Sequence, residues 1–319
     1  VTTLSGQSVL VTGATGSFGN AFVARALADG VGRIVVFSRD EQKQHAMAQA
    51  MADDRVRFFI GDVRDRDRLE MAMRGVDIVV HAAALKIVPL LEYNPFEAVR
   101  TNILGAQNVI EASIRTGVKK VVALSTDKAS APANLYGATK LVSEKLFCAA
   151  NAYAAGKTKF AVARYGNVTG SRGSVVPAWR ALLDQGVERL PVTNPFCTRF
   201  WLTLDEAVDL VVWSFDQAHG GEIVVPEMPA YQVKDLVEAM GGRMQVSALR
   251  PGEKLHESMV SDDERAQFGR RGPYWVAGAE GDRLDAPLCS DTARRMSVDE
   301  IRQRLVALGF ASGMKRRAV

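Results

Sequence analysis

The sequence predicts an α/β protein, a doubly wound parallel sheet with a smaller C-terminal lobe, and three observations carry that expectation. Short apolar, β-branched runs alternate with longer stretches of helical periodicity from the start of the chain to about Arg164. A glycine-rich turn follows the first of these runs. Beyond Arg164 the alternation breaks into turn-rich segments and shorter helices.

The strand runs are SVLVT (Ser8 to Thr12), RIVVF (Arg33 to Phe37), VRFFI (Val56 to Ile60), DIVVH (Asp77 to His81), KVVALS (Lys120 to Ser125) and KFAVAR (Lys159 to Arg164). Their hydrophobicity is continuous rather than alternating, as a strand requires when both faces of its sheet are covered. Between them lie stretches such as AFVARALADG, ending at Gly30, with apolar residues three and four apart. Repeated strand–helix units of this kind imply right-handed crossovers and a parallel sheet. After Arg164, Gly170 to Pro177, Pro191 to Pro195 and Pro226 to Pro229 read as loops, and Leu204 to Phe215 as a helix. The tail from Gly269 to Pro287, rich in Gly and Arg, reads as irregular.

Apolar residues make up 47% of the chain and charged residues 24%, which excludes disorder and a coiled coil. The net charge of +4 is dispersed except at Lys315-Arg316-Arg317, so there is no nucleic-acid footprint, although a mild positive bias suits a small anionic substrate. Cys148, Cys197 and Cys289 show no CxxC or metal-ligand spacing and read as reduced thiols, so no metal site is expected. No apolar run is long enough to span a bilayer, and no export signal is evident. A cytoplasmic protein with no membrane partner is expected.

The first strand run leads into GATGSFG, with Gly13, Gly16 and Gly19 at three-residue spacing. Glycines here permit a tight turn, close approach of backbone to a pyrophosphate, and close helix–strand packing. The helix that follows aims its N-terminal amides at the phosphates. The architecture is thus Rossmann-like, with residues 1–165 expected as the dinucleotide-binding domain and 166–319 as a substrate-binding lobe whose segments return to the sheet.

The second run ends in FSRDE. An acidic residue there would hold the ribose 2′-hydroxyl of NAD, whereas Arg39 with Ser38 and Lys43 suits the 2′-phosphate of NADP. Asp40 follows directly, so both stay open. NADP is favoured because an arginine and a hydroxyl come first. Asp62 in IGDV is placed to accept from the adenine amino group, or else to cap the next helix.

The fifth run ends in STDKASAPANLYGATK. Tyr136 and Lys140, four residues apart, share a helix face. A tyrosine near its solution pKa is a poor base at neutral pH, and a neighbouring ammonium together with the positive nicotinamide ring is expected to lower it. Tyr136 then takes a proton from a sugar hydroxyl as hydride leaves for a nicotinamide, and Lys140 can hold the nicotinamide ribose. Ser125, Thr126, Asp127 and Lys128 sit just past the strand's carboxyl end, the rim where open α/β sheets bind ligands.

With these motifs the sequence resembles the inverting UDP-N-acetylglucosamine 4,6-dehydratases of bacterial sugar biosynthesis, a branch of the extended short-chain dehydrogenase/reductase superfamily. The resemblance runs from about Ser8 to about Ser258. It rests on GATGSFG, FSRDE, RFFIGDVRD, HAAALK, EYNPFEAVRTNILGA, ALSTDKA, NLYGATK, RYGNVTGSRGSVVP, TRFWLT, GGEIVVP and RPGEKLHE. It implies an NADP-dependent lyase that oxidises C4, eliminates water across C5 and C6, returns hydride to C6 and reprotonates C5 from the opposite face. On this resemblance Lys128 is the base at C5, and Asp127 assists departure of the C6 hydroxyl. Tyr136 and Lys140 carry the C4 oxidation, and Thr126 positions the C4 oxygen. Retaining glucose-type dehydratases use an Asp-Glu pair instead. Membrane-attached retaining relatives share Asp-Lys but lack the tyrosine kept here as Tyr136. A 4-epimerase or a retaining dehydratase on the same scaffold is the alternative.

The resemblance also implies the lining. Around the cofactor it places Gly13, Thr15, Gly16, Ser17, Phe18, Gly19, Ser38, Arg39, Asp40 and Lys43. Asp62, Val63, Ala83, Lys86, Ser125, Tyr136, Lys140 and Val168 complete that set. Around the UDP-sugar it places Lys86, Asn167, Ser171, Arg172, Gly173, Ser174, Val175 and Val176, with Thr193 and Arg199 beside them. Arg250 is expected at the diphosphate and Glu253 at the ribose or uracil. A homo-oligomer is expected. Two features depart from the family pattern: Ile87 follows the lysine of HAAALK where a histidine is usual, and the chain beyond Ser258 matches poorly.

Overall fold

A computed structural model describes residues 3–310. The basic cluster Lys315-Arg316-Arg317 lies outside the described residues. In chain order the first half runs β1 (Ser8–Thr12), α1 (Ser17–Ala28), β2 (Arg33–Ser38), α2 (Glu41–Ala50), β3 (Val56–Ile60), α3 (Arg66–Ala72) and β4 (Ile78–His81). A broken helix follows, α4 (Val88–Tyr93), α5 (Pro95–Ala98), a π-helical stretch at Val99–Leu104, and α6 (Gly105–Thr116). Then come β5 (Lys120–Thr126), a short turn at Asp127–Ala129, α7 (Leu135–Tyr153) and β6 (Lys159–Tyr165). All six expected strands are present, within a residue of their expected ends.

The second half contains α8 (Val175–Asp184), β7 (Arg189–Val192), β8 (Thr198–Phe200), α9 (Leu204–Gln217), β9 (Ile223–Pro226), β10 (Ala230–Gln232), α10 (Val233–Ala239) and β11 (Arg243–Val246). It ends with β12 (Ser258–Val260), α11 (Asp262–Arg265), β13 (Phe268–Arg271), β14 (Tyr274–Ala277), β15 (Leu288–Cys289) and α12 (Val298–Ala307).

The main sheet has nine strands in the order β13-β14-β9-β6-β5-β4-β1-β2-β3. Strands β3-β2-β1-β4-β5-β6 are all parallel, and this is the order of a dinucleotide-binding sheet. Strand β9 adds in parallel beside β6, and the antiparallel pair β14 and β13 closes that edge. The structure therefore corrects the expectation of an irregular tail over Gly269 to Pro287. Arg271 pairs with Tyr274, leaving Gly272 and Pro273 as a two-residue turn. Gly272 has φ +57°, so the glycine that looked like a loop marker supplies a hairpin.

Strand burial follows the sequence pattern. Val9, Leu10, Val11, Val36, Val79 and Val80 are fully buried between helices on the two faces. A second apolar cluster centres on Trp179, Trp201, Tyr231, Leu236, Ile301 and Leu305, and it holds the smaller pieces of sheet together. Fully buried Arg164, on β6, joins the two halves. Its Nη2 lies 2.6 Å from Glu144 on α7 and 2.9 Å from Glu264 on α11, and it also donates to Met259 O at 2.8 Å.

The strand order reverses between β1 and β4, which opens a crevice at the carboxyl ends of these strands. The glycine turn after β1, the end of β5 and the start of α7 border that crevice.

Candidate active site

At the β1–α1 turn, Gly13 takes φ +67°, and a Cβ there would stand 2.9 Å from the Ala83 backbone at the end of β4. A Cβ on Gly19 would lie 2.3 Å from Ala14 O. The GATGSFG glycines thus let one backbone pass against another. Helix α1 starts at Gly16 without a side-chain cap, so its first amides face the crevice, where an anion would be held.

The crevice is a cleft of about 780 Å³, a size suited to an extended ligand. Along one end it is walled by Gly13, Thr15, Gly16, Ser17, Phe18, Gly19, Ser38, Arg39, Asp40, Lys43, Asp62, Val63 and Ala83. Towards the other end lie Lys86, Ser125, Thr126, Lys128, Tyr136, Lys140, Asn167 and Val168, then Ser171, Arg172, Gly173, Ser174, Val175, Val176 and Arg250. Asp127, Thr193, Arg199 and Glu253 are not part of its wall. Asp127 is fully buried directly beneath it. Thr193 and Arg199 both donate to Glu253 Oε1, at 3.0 and 3.3 Å, and Arg199 also donates to the carbonyls of Thr198, Lys254 and Leu255.

The cofactor end combines cations with carboxylates. Asp40 caps α2 by accepting from Lys43 N at 3.0 Å and also pairs with the Lys43 ammonium, which holds it below the usual carboxylate range. Exposed Arg39 reaches Asp62 at 3.4 Å, and Arg64 binds the same carboxylate at 2.6 Å. The cap of α3 is Asp65, not Asp62. Ser38 is buried, and its hydroxyl accepts from Gln44 at 3.1 Å. The Arg172 backbone N donates to Ser17 Oγ at 2.8 Å, which ties the loop that carries it to the start of α1.

At the other end, β5 runs directly into the Asp127–Ala129 turn. Thr126 Oγ1 donates to Asp127 Oδ1 at 2.9 Å, and Lys128 Nζ reaches the same oxygen at 2.9 Å. Helix α7 starts at Asn134, whose side chain accepts from Gly137 N at 2.9 Å. A Cβ at Gly137 would lie 2.1 Å from Lys128 O, so the glycine of YGATK is what lets α7 lie against the catalytic turn. Lys140 is buried and donates to Leu124 O at 2.6 Å; burial pulls it down to about 8.

Burial pushes the Tyr136 phenol up to about 12 and the Asp127 charge adds to this, while the Lys128 charge and a hydrogen bond with Thr126 pull it down. Lys128 itself is raised above the usual lysine value by Asp127 and Glu257, against the cost of burial.

Several buried polar atoms at the site have no hydrogen-bond partner among the described residues: Ser125 Oγ, Asp127 Oδ2, Thr101 Oγ1 and Ser174 Oγ. Such atoms are costly unless a ligand or water meets them. With the glycine cradle and the uncapped α1, they fit a dinucleotide with a polar sugar beside it.

The sequence signalled neither Thr101, Tyr165 and Tyr231, which line the cleft, nor Glu257, which approaches Lys128 to 3.4 Å. Thr101 lies in the π-helical stretch, a local distortion with no sequence signature, although such stretches are frequent at functional sites. The neighbouring Asn102 ties the HAAALK loop to α7, bonding Leu85 N at 2.9 Å and Thr139 Oγ1 at 3.0 Å. Among the described residues no helix is long and apolar enough to cross a membrane, and all three cysteines are free.

Residues 9–277 match the model of a family described as polysaccharide biosynthesis protein. The chain is 51% identical over 264 residues to an inverting UDP-N-acetylglucosamine 4,6-dehydratase of Campylobacter jejuni, covering 82% of this chain and 79% of that one. It is 39% identical over 330 residues to a protein of Rickettsia akari named UDP-glucose 4-epimerase, covering 95% of this chain and 96% of that one. The X-ray structure of Pen from Bacillus thuringiensis superposes with a TM-score of 0.90 at 36% identity, covering 95% of this chain and 99% of Pen. By sequence and by fold, the chain belongs to the polysaccharide biosynthesis protein family, alongside the inverting UDP-N-acetylglucosamine 4,6-dehydratases.

Proposed function

We propose that the protein is an NADP-dependent hydro-lyase that converts UDP-N-acetylglucosamine to a UDP-4-keto-6-deoxy sugar with inversion at C5. The observation that carries this reading is the Asp127–Lys128 pair, 2.9 Å apart and beside Tyr136 at the end of a dinucleotide cleft. A simple alcohol dehydrogenase needs a tyrosine and a lysine. A buried carboxylate and ammonium next to them add the acid and base that an elimination requires.

When bound, the dinucleotide supplies the acceptor and later the donor of hydride, and its positive ring joins Lys128 in favouring the Tyr136 phenolate. Tyr136 takes the proton of the C4 hydroxyl, and Thr126 orients that oxygen. The C4 ketone then acidifies C5–H. Lys128 rests as an ammonium, so it becomes a base only by giving up a proton. Asp127 is positioned to take it, and that one transfer produces both a neutral amine and a neutral carboxylic acid. The amine removes the C5 proton, and the acid protonates the departing C6 hydroxyl, which leaves as water. A proton drawn from solvent and added to C5 from the other face completes the inversion. Lys140 fixes the nicotinamide ribose.

Residues 1–165 serve the cofactor and 166–319 mainly the sugar nucleotide. The NADP choice rests on Arg39 and Lys43, exposed cations at the end of β2. Arg250 at the rim is assigned to the diphosphate, and Asn167 to the sugar. Glu253, held by Thr193, Arg199 and Arg250, serves as a support for that arginine and as a ligand of the nucleoside. A cytoplasmic homo-oligomer remains the working assignment.

The test is NMR of the product formed from UDP-N-acetylglucosamine in deuterated water with added NADP. A 4-keto-6-deoxy sugar with inverted, deuterated C5 is expected. A product that keeps its C6 hydroxyl and differs only at C4 makes the protein a 4-epimerase, and retention at C5 makes it a retaining dehydratase.

A further inference from the structure

A lysine ammonium has three N–H donors, and Lys128 has three acceptors within reach. These are Asp127 Oδ1 at 2.9 Å, Glu257 Oε1 at 3.4 Å and Asn167 Oδ1 at 3.4 Å. Asp127 and Asn167 come from the rim of the parallel sheet. Glu257 comes from the segment just before β12, far along the chain.

Glu257 is built into its place. It is 3% exposed, its backbone N donates to Ser290 Oγ at 2.8 Å, and Ser290 N donates back to Glu257 O at 2.8 Å. Its ion-pair partners among the described residues are Lys128 and Arg199, the latter at 3.8 Å. Its second oxygen, Oε2, has no hydrogen-bond partner among the described residues. A carboxylate this deep costs free energy unless it is paired, and a hydrophobic side chain of similar size would serve packing equally well. Its one evident use is the ammonium it faces.

We propose that Glu257 is a positioning residue for Lys128: it anchors the ammonium in the cleft as a second carboxylate, while Arg199 fixes Glu257 in turn. The inference rests on Lys128 acting at C5 as described above. A lysine stem has four rotatable bonds, and Asp127 on the adjacent residue with a long bond to the neutral Asn167 amide leaves the amine room to swing. Contacts from two sides confine it to the position from which C5–H is reached, and a misplacement of about 1 Å is enough to cost about a hundredfold in rate. Arg199 takes a similar part, because its fork is spent on Glu253, Glu257 and three carbonyls.

The experiment compares wild type, Lys128→Met, Glu257→Gln and Glu257→Asp with added NADP. The readouts are kcat, KM for UDP-N-acetylglucosamine, and the kinetic isotope effect with substrate deuterated at C5. Glu257→Gln is expected to lower kcat about tenfold to a hundredfold, to leave KM within about twofold, and to raise the isotope effect as C5–H removal becomes limiting. Glu257→Asp, which keeps the charge, is expected to recover part of kcat. If Glu257→Gln does not fold, Glu257→Asp alone decides, through a raised isotope effect at unchanged KM. A wild-type kcat and isotope effect in either folded variant, or a loss confined to KM, overturns the inference and leaves the reading of Lys128 intact. Full turnover by Lys128→Met overturns both.

Discussion

The Gly13–Gly19 turn shapes one end of the cleft with backbone, whereas a cluster of charged side chains backs the Lys128 end. At the first end the shape comes from glycines that let the β1–α1 turn pass so close to Ala83 that a Cβ on Gly13 would stand 2.9 Å from its backbone, and the charge comes from the amides of an uncapped helix. At the second, Asp127, Lys128, Glu257 and Arg199 converge from three separate stretches of chain, with Tyr136 facing them. A backbone cradle is encoded by consecutive residues and tolerates change everywhere except at its glycines. A side-chain cluster is encoded by residues far apart, and each buried charge depends on the others as its partners. The two ends should therefore fail in different ways.

The sharpest separation is expected from Lys128→Met. It removes the base while touching nothing at the glycine turn. Turnover should fall about a thousandfold, or about 4 kcal/mol of transition-state stabilisation. Affinity for NADP, measured by calorimetry, should stay within about twofold of wild type. A comparable loss of cofactor affinity would show that the two ends are one coupled unit.

Gly13→Ala is the reciprocal test. It puts an L-residue at φ +67° and a methyl group 2.9 Å from the Ala83 backbone, so either β4 or the turn must give way. Strain and overpacking together come to about 3 kcal/mol. Cofactor affinity should fall about a hundredfold, and thermal unfolding should move to lower temperature. Unchanged affinity would mean that the turn can shift without losing its phosphate-binding geometry.

These contrasts explain what could be read from the sequence. GATGSFG and YGATK are local, so their placement at β1–α1 and on α7 was legible, and so were the six parallel strands with their continuous apolar runs. The fate of individual charges was not. The spacing of Tyr136 and Lys140 put both on one helix face, but nothing in it says that Lys140 donates to Leu124 O or that the Lys128 charge also reaches the phenol. Glu257 ends the string RPGEKLHE, yet nothing in that string says that its carboxylate meets Lys128, because the encounter depends on how β12 pairs with β15. The loop carrying Arg172 is tied to Ser17 through the Arg172 backbone N, along a path no periodicity reveals. In the hairpin of β13 and β14 a glycine that signals irregularity in sequence supplies the turn of a regular element.

Lys140 belongs to both ends, and its titration shows what burial there costs. Its value of about 8 in the fold lies below the ordinary 10.5. Below pH 8 both the folded and unfolded chains carry the proton, so the cost of burying the charge is present in full. Between pH 8 and 10.5 the unfolded chain binds more protons, so stability attributable to this group rises with pH, and above 10.5 the cost is gone. The full cost is about 3 kcal/mol, offset by about 1 kcal/mol for the bond to Leu124 O. Ligand-free Lys140→Met should therefore exceed wild type by about 2 kcal/mol in urea unfolding at pH 7, and the gap should close at pH 10. A gap independent of pH would mean that Lys140 binds its proton equally in the folded and unfolded chains, with no depression of its pKa by burial.

The smallest effect is expected where the cofactor end stops being backbone and relies on a side chain. Arg39 is exposed and shares Asp62 with Arg64, so removing it leaves that carboxylate paired. The fold should not register Arg39→Ala: surface ion pairs contribute at most about 1 kcal/mol. A 2′-phosphate, in contrast, would lose one charge-assisted donor, while Lys43 stays tied to Asp40 and can compensate only in part. The preference for NADP over NAD, taken as the ratio of the two dissociation constants, should drop about tenfold, or about 1.4 kcal/mol. NAD affinity itself should hardly move. If the ratio in wild type already favours NAD, Asp40 rather than Arg39 reads the ribose, and Asp40→Asn becomes the substitution that should shift the preference towards NADP.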